Sequence, residues 1–144
     1  ADGIHGSTAE FVTATATCPV IVLGPRCDED PPVDRVVVAI DPTHDQHGLT
    51  TWAMRLGYHL DVPADFVHVD VGDDPTLGPR VRRVPLAAGE TVAQRLVAEA
   101  EGAILALGSH GRTGFARLLE GSVGAAVLTT ATQPVMILGP EATI

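Results

Sequence analysis

Apolar residues fall along this chain in two rhythms. Short unbroken runs read as strands buried on both faces: Arg35–Ile40, closing on Asp41, then Phe66–Asp70, Ala103–Leu107 and Val135–Leu138. Between them the spacing turns helical. Leu49, Trp52, Ala53, Leu56 and Leu60 share one face of a helix over Gly48–Leu60, and Val92, Leu96 and Val97 point inward from a helix over Glu90–Glu101. From Ser122 the segment VGAAVLTTAT reads as a small-residue helix. It must stop before Pro134, because the residue preceding a proline is pushed out of the α region. Arg80–Leu86 reads as a further strand. Strands alternating with helices predict an α/β fold: a parallel, doubly wound sheet of about five strands, helices on both faces, and a ligand crevice at the carboxyl ends of the strands.

One connection strains this scheme. VGDDPTLGPR (71–80) is short for a parallel crossover, which normally takes a dozen residues or more. A hairpin would suit the length but would leave the chain at the wrong end of the sheet. The single helix that follows could not then bring Ala103–Leu107 parallel to Val36–Ile40. An extended crossover is therefore expected.

The N-terminal quarter repeats the C-terminal one. GSTAEFVTATATCPVIVLGP (Gly6–Pro25) aligns without a gap on GSVGAAVLTTATQPVMILGP (Gly121–Pro140), with Gly, Ser, Val, Thr, Ala, Thr, Pro, Val, Leu, Gly and Pro identical at matching positions. A helix-then-strand ending thus occurs twice, and only the second copy has a domain in front of it. The organisation this predicts is residues 1–25 as the C-terminal remnant of a preceding repeat, 26–34 as a charged, proline-containing linker, and 35–144 as a whole domain. A truncated or cleaved two-domain protein is expected, with a single domain carrying an N-terminal arm as the alternative.

Candidate chemistry centres on the glycine loop after Ala103–Leu107. Gly108, Ser109, His110 and Gly111 follow the strand at once, and Gly121-Ser122 comes nine residues later, where the next helix begins. Glycines let the main chain approach an anion, and helix-start N–H groups favour negative charge. Arg112 and Arg117 add charge, while Ser122 suits a cap that also offers a hydroxyl. Tight-turn geometry without a ligand is the competing explanation for these glycines. Ser109 and His110 are not read as a nucleophile–base pair, since neighbours in sequence do not present side chains to each other that way and no third group is identifiable.

Gly108-x2-Gly111-x9-Gly121-Ser122 resembles the loop of the ATP-binding universal stress proteins, Gly-x2-Gly-x9-Gly-Ser/Thr. The likeness runs from about Arg35 to Pro140. It implies a Rossmann-like, adenine nucleotide alpha-hydrolase-like fold with an extra N-terminal helix–strand segment, and a cytoplasmic, nucleotide-responsive regulatory domain of the stress response. By position it implies that Asp41 and the main chain of Val69 flank the adenosine. Gly108, Ser109, His110, Gly111, Arg112, Gly121, Ser122 and Val123 would then surround the phosphates of ATP, with Mg2+ or Mn2+ held through those phosphates. Asp41 also fits a helix-start or Asx-turn role, and the Val69 side chain fits core packing in either case. Two departures stand out: relatives have a long helix where 71–80 lies, and an apolar residue where Glu120 precedes the Gly-Ser. A carboxylate facing a triphosphate repels it.

Tandem copies occur in that family, and in its tandem or dimeric members the last strands of two domains pair. Val20–Leu23 is accordingly expected against Val135–Leu138, with a homodimer or a sister domain as partner. Two further function classes follow: a pairing module of the same fold without nucleotide, and a slow ATP hydrolase, for which the chain offers no convincing general base.

Composition trims this picture. Aromatics make up only 3%, so the core must be aliphatic, which fits a parallel sheet. Net charge is −9 and every basic residue is arginine, which argues against nucleic acid as a partner and removes the lysine that a Walker-type P-loop needs. No run is long enough to span a membrane, so no membrane partner is expected. Cys18 and Cys27 read as two reduced thiols. Asp41, His44, Asp45 and His47 have ligand chemistry but a loose loop setting, and no metal centre is assigned to them.

Overall fold

The computed structural model describes residues 11–13, 15–41, 47–70, 78–108, 123–139 and 141–143, with only the main chain at Asp70. Residues 11–13 and 15 are helical. In chain order there follow β1 (Val20–Val22), β2 (Val36–Ala39), α1 (His47–Leu60), β3 (Ala64–Asp70), β4 (Arg82–Pro85), α2 (Val92–Glu99), β5 (Ile104–Gly108), α3 (Val123–Thr130) and β6 (Val135–Leu138). The six strands form one sheet in the order β1-β6-β5-β2-β3-β4. All neighbours are parallel except β1 and β6. This is the expected doubly wound α/β sheet, five parallel strands with one antiparallel strand at an edge.

The runs of β2, β5 and β6 are apolar throughout because helices cover both faces. Val36, Val38, Ile104, Ala106 and Met136 pack under α1 against Leu49 and Ala53. Val37, Val67, Leu105, Val135 and Ile137 face the other way, with Ala93 and Leu96 of α2 and Val127 and Leu128 of α3. Val36, Val37 and Val38 are fully buried in the middle of the sheet. β3 and β4 run parallel, Val67 opposite Arg82 and Val69 opposite Val84, so the connection between them is a crossover rather than a hairpin.

Element ends differ from the sequence expectation where local hydrogen bonding intervenes. α2 begins at Val92 rather than Glu90, because Thr91 and Gln94 form a capping box: the Thr91 hydroxyl accepts from the Gln94 N–H and the Gln94 side chain accepts from the Thr91 N–H. It stops at Glu99, short of Glu101, where the Arg35 guanidinium donates to the Glu99 and Glu101 carbonyls. β4 is shorter than Arg80–Leu86, since residues 79–80 form a turn. β3 starts two residues before Phe66, paired with β2 from Val36 onward. α1 begins one residue before Gly48 and closes in a Schellman arrangement: Val62 N–H donates to the Gly57 carbonyl and Asp61 N–H to that of Tyr58.

The pairing of β1 with β6 has a symmetry that follows from the repeat. Val20 lies opposite Ile137, Ile21 opposite Met136 and Val22 opposite Val135. In the repeat, Val20 corresponds to Val135, Ile21 to Met136 and Val22 to Ile137. Exchanging the two copies returns the same pairs, so a local two-fold axis passes between Ile21 and Met136. The arm is secured beyond the strands as well. Thr13 packs against Gly139, Thr143 N–H donates to the Thr17 carbonyl, and the Trp52 indole donates to the Thr143 carbonyl.

Candidate functional site at the switch point of the sheet

From β2 the chain proceeds outward to β3 and β4, then returns to β5 on the other side of β2. The order therefore reverses between β2 and β5, and such a reversal opens a crevice beyond the carboxyl ends of the strands. Register places the residues that flank it. Val38 lies opposite Ala106 on β5 and Ala39 opposite Val67 on β3. Continuing that register, Ile40 comes level with Gly108 and His68, and Asp41 with Val69.

The sequence-predicted residues divide accordingly. Asp41 is half-buried at the exit of β2. Val69 sits in β3 with its side chain in the core on the α2–α3 face, leaving its main chain at the sheet end. Gly108 is the last residue of β5 and Val123 the first of α3. These four are brought to one end of the sheet. Ser109, His110, Gly111, Arg112, Gly121 and Ser122 lie outside the described residues, as do Arg117, Glu120, His44 and Asp45. Two helices, α1 and α3, follow β2 and β5 and so begin at this end, where their first N–H groups have no partner within the helix. Among the described residues no group of three His, Cys, Asp or Glu is arranged to hold a metal ion.

One residue at this end was not singled out by sequence reasoning. The His68 ring faces the α1 side of β3, where its Nδ1 lies 3.0 Å from the Ile40 carbonyl oxygen. A carbonyl only accepts, so Nδ1 carries the proton and donates. The available signal was a lone imidazole in an otherwise apolar strand end, VHV, which on its own equally describes a satisfied core histidine.

Among the described residues, the clearest ionic network lies elsewhere. Arg82 of β4 donates to Asp65 at 2.7 Å and Glu99 at 2.5 Å. These bonds raise the guanidinium pKa well above its already high ordinary value, and Asp65 remains its main partner. Arg95 adds contacts to Glu90 and Glu99. Asp65 is opposite Val37, well back from the strand ends, so this network ties β3, β4 and α2 together and leaves the crevice alone. A shallow depression lined by Gly57, Tyr58, His59, Asp61 and Val62 lies at the end of α1, hence at the opposite, amino end of the sheet.

Fold and crevice together define a doubly wound α/β domain of the kind that takes ligands at a strand-order switch point. Residues 79–139, from the approach to β4 through β6, match the Universal stress protein family. The chain is also 30% identical, over 169 residues, to a universal stress protein of Mycolicibacterium smegmatis, covering 94% of this chain and 56% of the relative. Both findings mark similarity to the universal stress proteins. The chain spans about half the length of the curated relative it matches. The matched stretch is also longer than this chain's 144 residues, so the relative contains positions without a counterpart here. Among the described residues no helix is long and apolar enough to cross a membrane.

Proposed function

We infer that the crevice binds an adenine nucleotide, ATP with Mg2+ or Mn2+ on its phosphates, and that the domain acts as a nucleotide-responsive regulator in the cytoplasm. The observation that carries this reading is the strand-order reversal between β2 and β5. It brings Asp41, the Val69 main chain, Gly108 and the start of α3 to one sheet end, with the motif Gly108-x2-Gly111-x9-Gly121-Ser122 spanning the gap in sequence. Asp41 and Val69 would recognise the adenosine. Gly108, Gly111, Gly121 and Ser122, with Ser109, His110 and Val123 beside them, would cradle the phosphates, and Arg112 would offset their charge. The described groups suit a nucleoside: a carboxylate that accepts from a hydroxyl, and main-chain groups for the base. The metal would be held through phosphate oxygens, which needs no protein ligand cluster.

The test is calorimetric titration of the folded chain with ATP and Mg2+, beside the Gly121→Leu variant. One-to-one binding is expected for the parent and none for the variant, with mass in solution unchanged. An absence of heat on well-folded parent protein removes the reading.

A second reading, a pairing module, is favoured by the two-fold register of β1 on β6. Such self-complementary pairing is what two like domains use across a dyad. It predicts association with a sister domain or a second copy, measurable by analytical ultracentrifugation and indifferent to Gly121→Leu.

A further inference from the structure

The geometry points to His68 as the positioning residue of the crevice, acting through the peptide that joins Ile40 to Asp41. This rests on the nucleotide-binding reading for its consequence, though not for its structural content. Among the described residues, the last main-chain rung between β2 and β3 at this end is the Ile40 N–H donated to the Val67 carbonyl at 2.8 Å. The Ile40 carbonyl also turns toward β3, where it accepts from His68 Nδ1 at 3.0 Å. The two bonds hold both polar groups of Ile40 on the β3 side. His68 is half-buried, so its bond is screened less than a surface contact.

The planar trans peptide converts this into an orientation for the next residue. Across such a peptide the carbonyl of one residue and the N–H of the next point in opposite directions. With the Ile40 carbonyl pinned toward β3, the Asp41 N–H is directed toward β5, the side on which the crevice opens. The imidazole thus prolongs strand geometry one residue past the last rung, at the step where β2 leaves the sheet. Without it, the Ile40 carbonyl loses this partner on β3, and the restraint it passes to the Asp41 N–H and to the base of the Asp41 side chain is relaxed. His68 touches no ligand in this account; it aims the residue that does.

The experiment compares the full chain with His68→Asn, His68→Gln and His68→Leu. Asn places an N–H donor where Nδ1 stands, Gln places one nearer Nε2, and Leu has none. ATP affinity at mildly alkaline pH is expected to fall about five-fold in His68→Leu and His68→Gln and to stay within about two-fold in His68→Asn, the loss being that of one ordinary hydrogen bond. Amide exchange at Asp41 in the nucleotide-free protein should quicken in the Leu and Gln variants and recover in Asn. A merely space-filling histidine would instead show all three variants melting earlier with no rescue by Asn. Equal affinities for His68→Leu and parent, or equal losses for His68→Asn and His68→Leu, overturn the proposal. Should the parent itself take no ATP, the nucleotide reading falls separately. The ring-nitrogen NMR spectrum then decides the peptide claim, a proton on Nε2 with Nδ1 bare overturning it.

Discussion

At Cys27 a single thiol illustrates how little burial is needed to alter chemistry. Burial first, and the neighbouring Asp28 carboxylate second, push its pKa above the ordinary thiol value. Both disfavour the thiolate, which is the reactive form. Because the folded-state pKa is raised, the associated stability is complete at neutral pH and is lost as pH climbs through the thiol range. Alkylation of Cys27 in the folded chain should therefore need a higher pH than in the urea-unfolded chain, and Asp28→Asn should narrow the gap; mass spectrometry of iodoacetamide-treated protein across pH reads both. Equal pH profiles folded and unfolded would contradict the assignment. Gln133, by contrast, looks from sequence like a polar break before Pro134. It is buried, and its amide nitrogen donates to the Val97 carbonyl at 3.0 Å, so it joins the approach to β6 to α2.

Elements were legible wherever the pattern was periodic, and their ends were not. The apolar faces of α1 and α2 and the buried runs of β2, β5 and β6 follow from spacing alone, since each run can satisfy its surface only in a doubly covered sheet. Ends depend on which polar group reaches an open helix terminus. Thr91 and Gln94 cap α2 from within its own first turn, whereas the Arg35 guanidinium at its far end comes from a residue remote in sequence. The end of α1 carries a testable strain. Asp61 adopts φ 55°, the left-handed conformation that a Schellman closure needs and that glycine adopts without a Cβ penalty. Asp61→Gly is expected to stabilise the protein by about 0.5–1 kcal/mol, seen as a higher midpoint in urea unfolding. Gly57 in the same helix cannot be exchanged for a better helix former, because a Cβ there would lie 2.8 Å from the Val62 carbonyl.

At the scale of the molecule the N-terminal arm is part of the body. Residues 20–22 complete the sheet, and Gly139 lets the Thr13 main chain approach the exit of β6 so closely that any Cβ would collide with the Thr13 carbonyl oxygen. Gly139→Ala is expected to cost about 2 kcal/mol through this overpacking. Protease sensitivity within residues 11–25 should rise with it, since the arm loses its seat while the remaining five strands keep their own core. A melting temperature and cleavage pattern unchanged from the parent would show that the arm is not seated there. The arm also leaves apolar side chains in water: Phe11, Val12, Ile21 and Leu23 are exposed, while Val127 and Met136, which correspond to Val12 and Ile21 in the repeat, are buried. The two copies lie at different places in the one sheet, β1 at its edge and β6 between β1 and β5, so one pattern of residues meets two environments.

Periodicity and the internal repeat, both local or self-comparing features, were enough to determine the α/β class and its elements, while the glycine spacing named the loop on which the function reading rests, most of it outside the described residues. Strand order was only partly within their reach: the parallel β3–β4 crossover followed from geometry, against a connection short enough for a hairpin, because the chain could not otherwise return to β2. What the tertiary structure alone decided is where distant polar groups meet. Arg35 on the α2 carbonyls, Arg82 between Asp65 and Glu99, and His68 on Ile40 each join residues far apart in sequence. Such pairings carry no periodic signature, since a hydrogen bond depends on separation and angle in space, and those exist only once the sheet has closed.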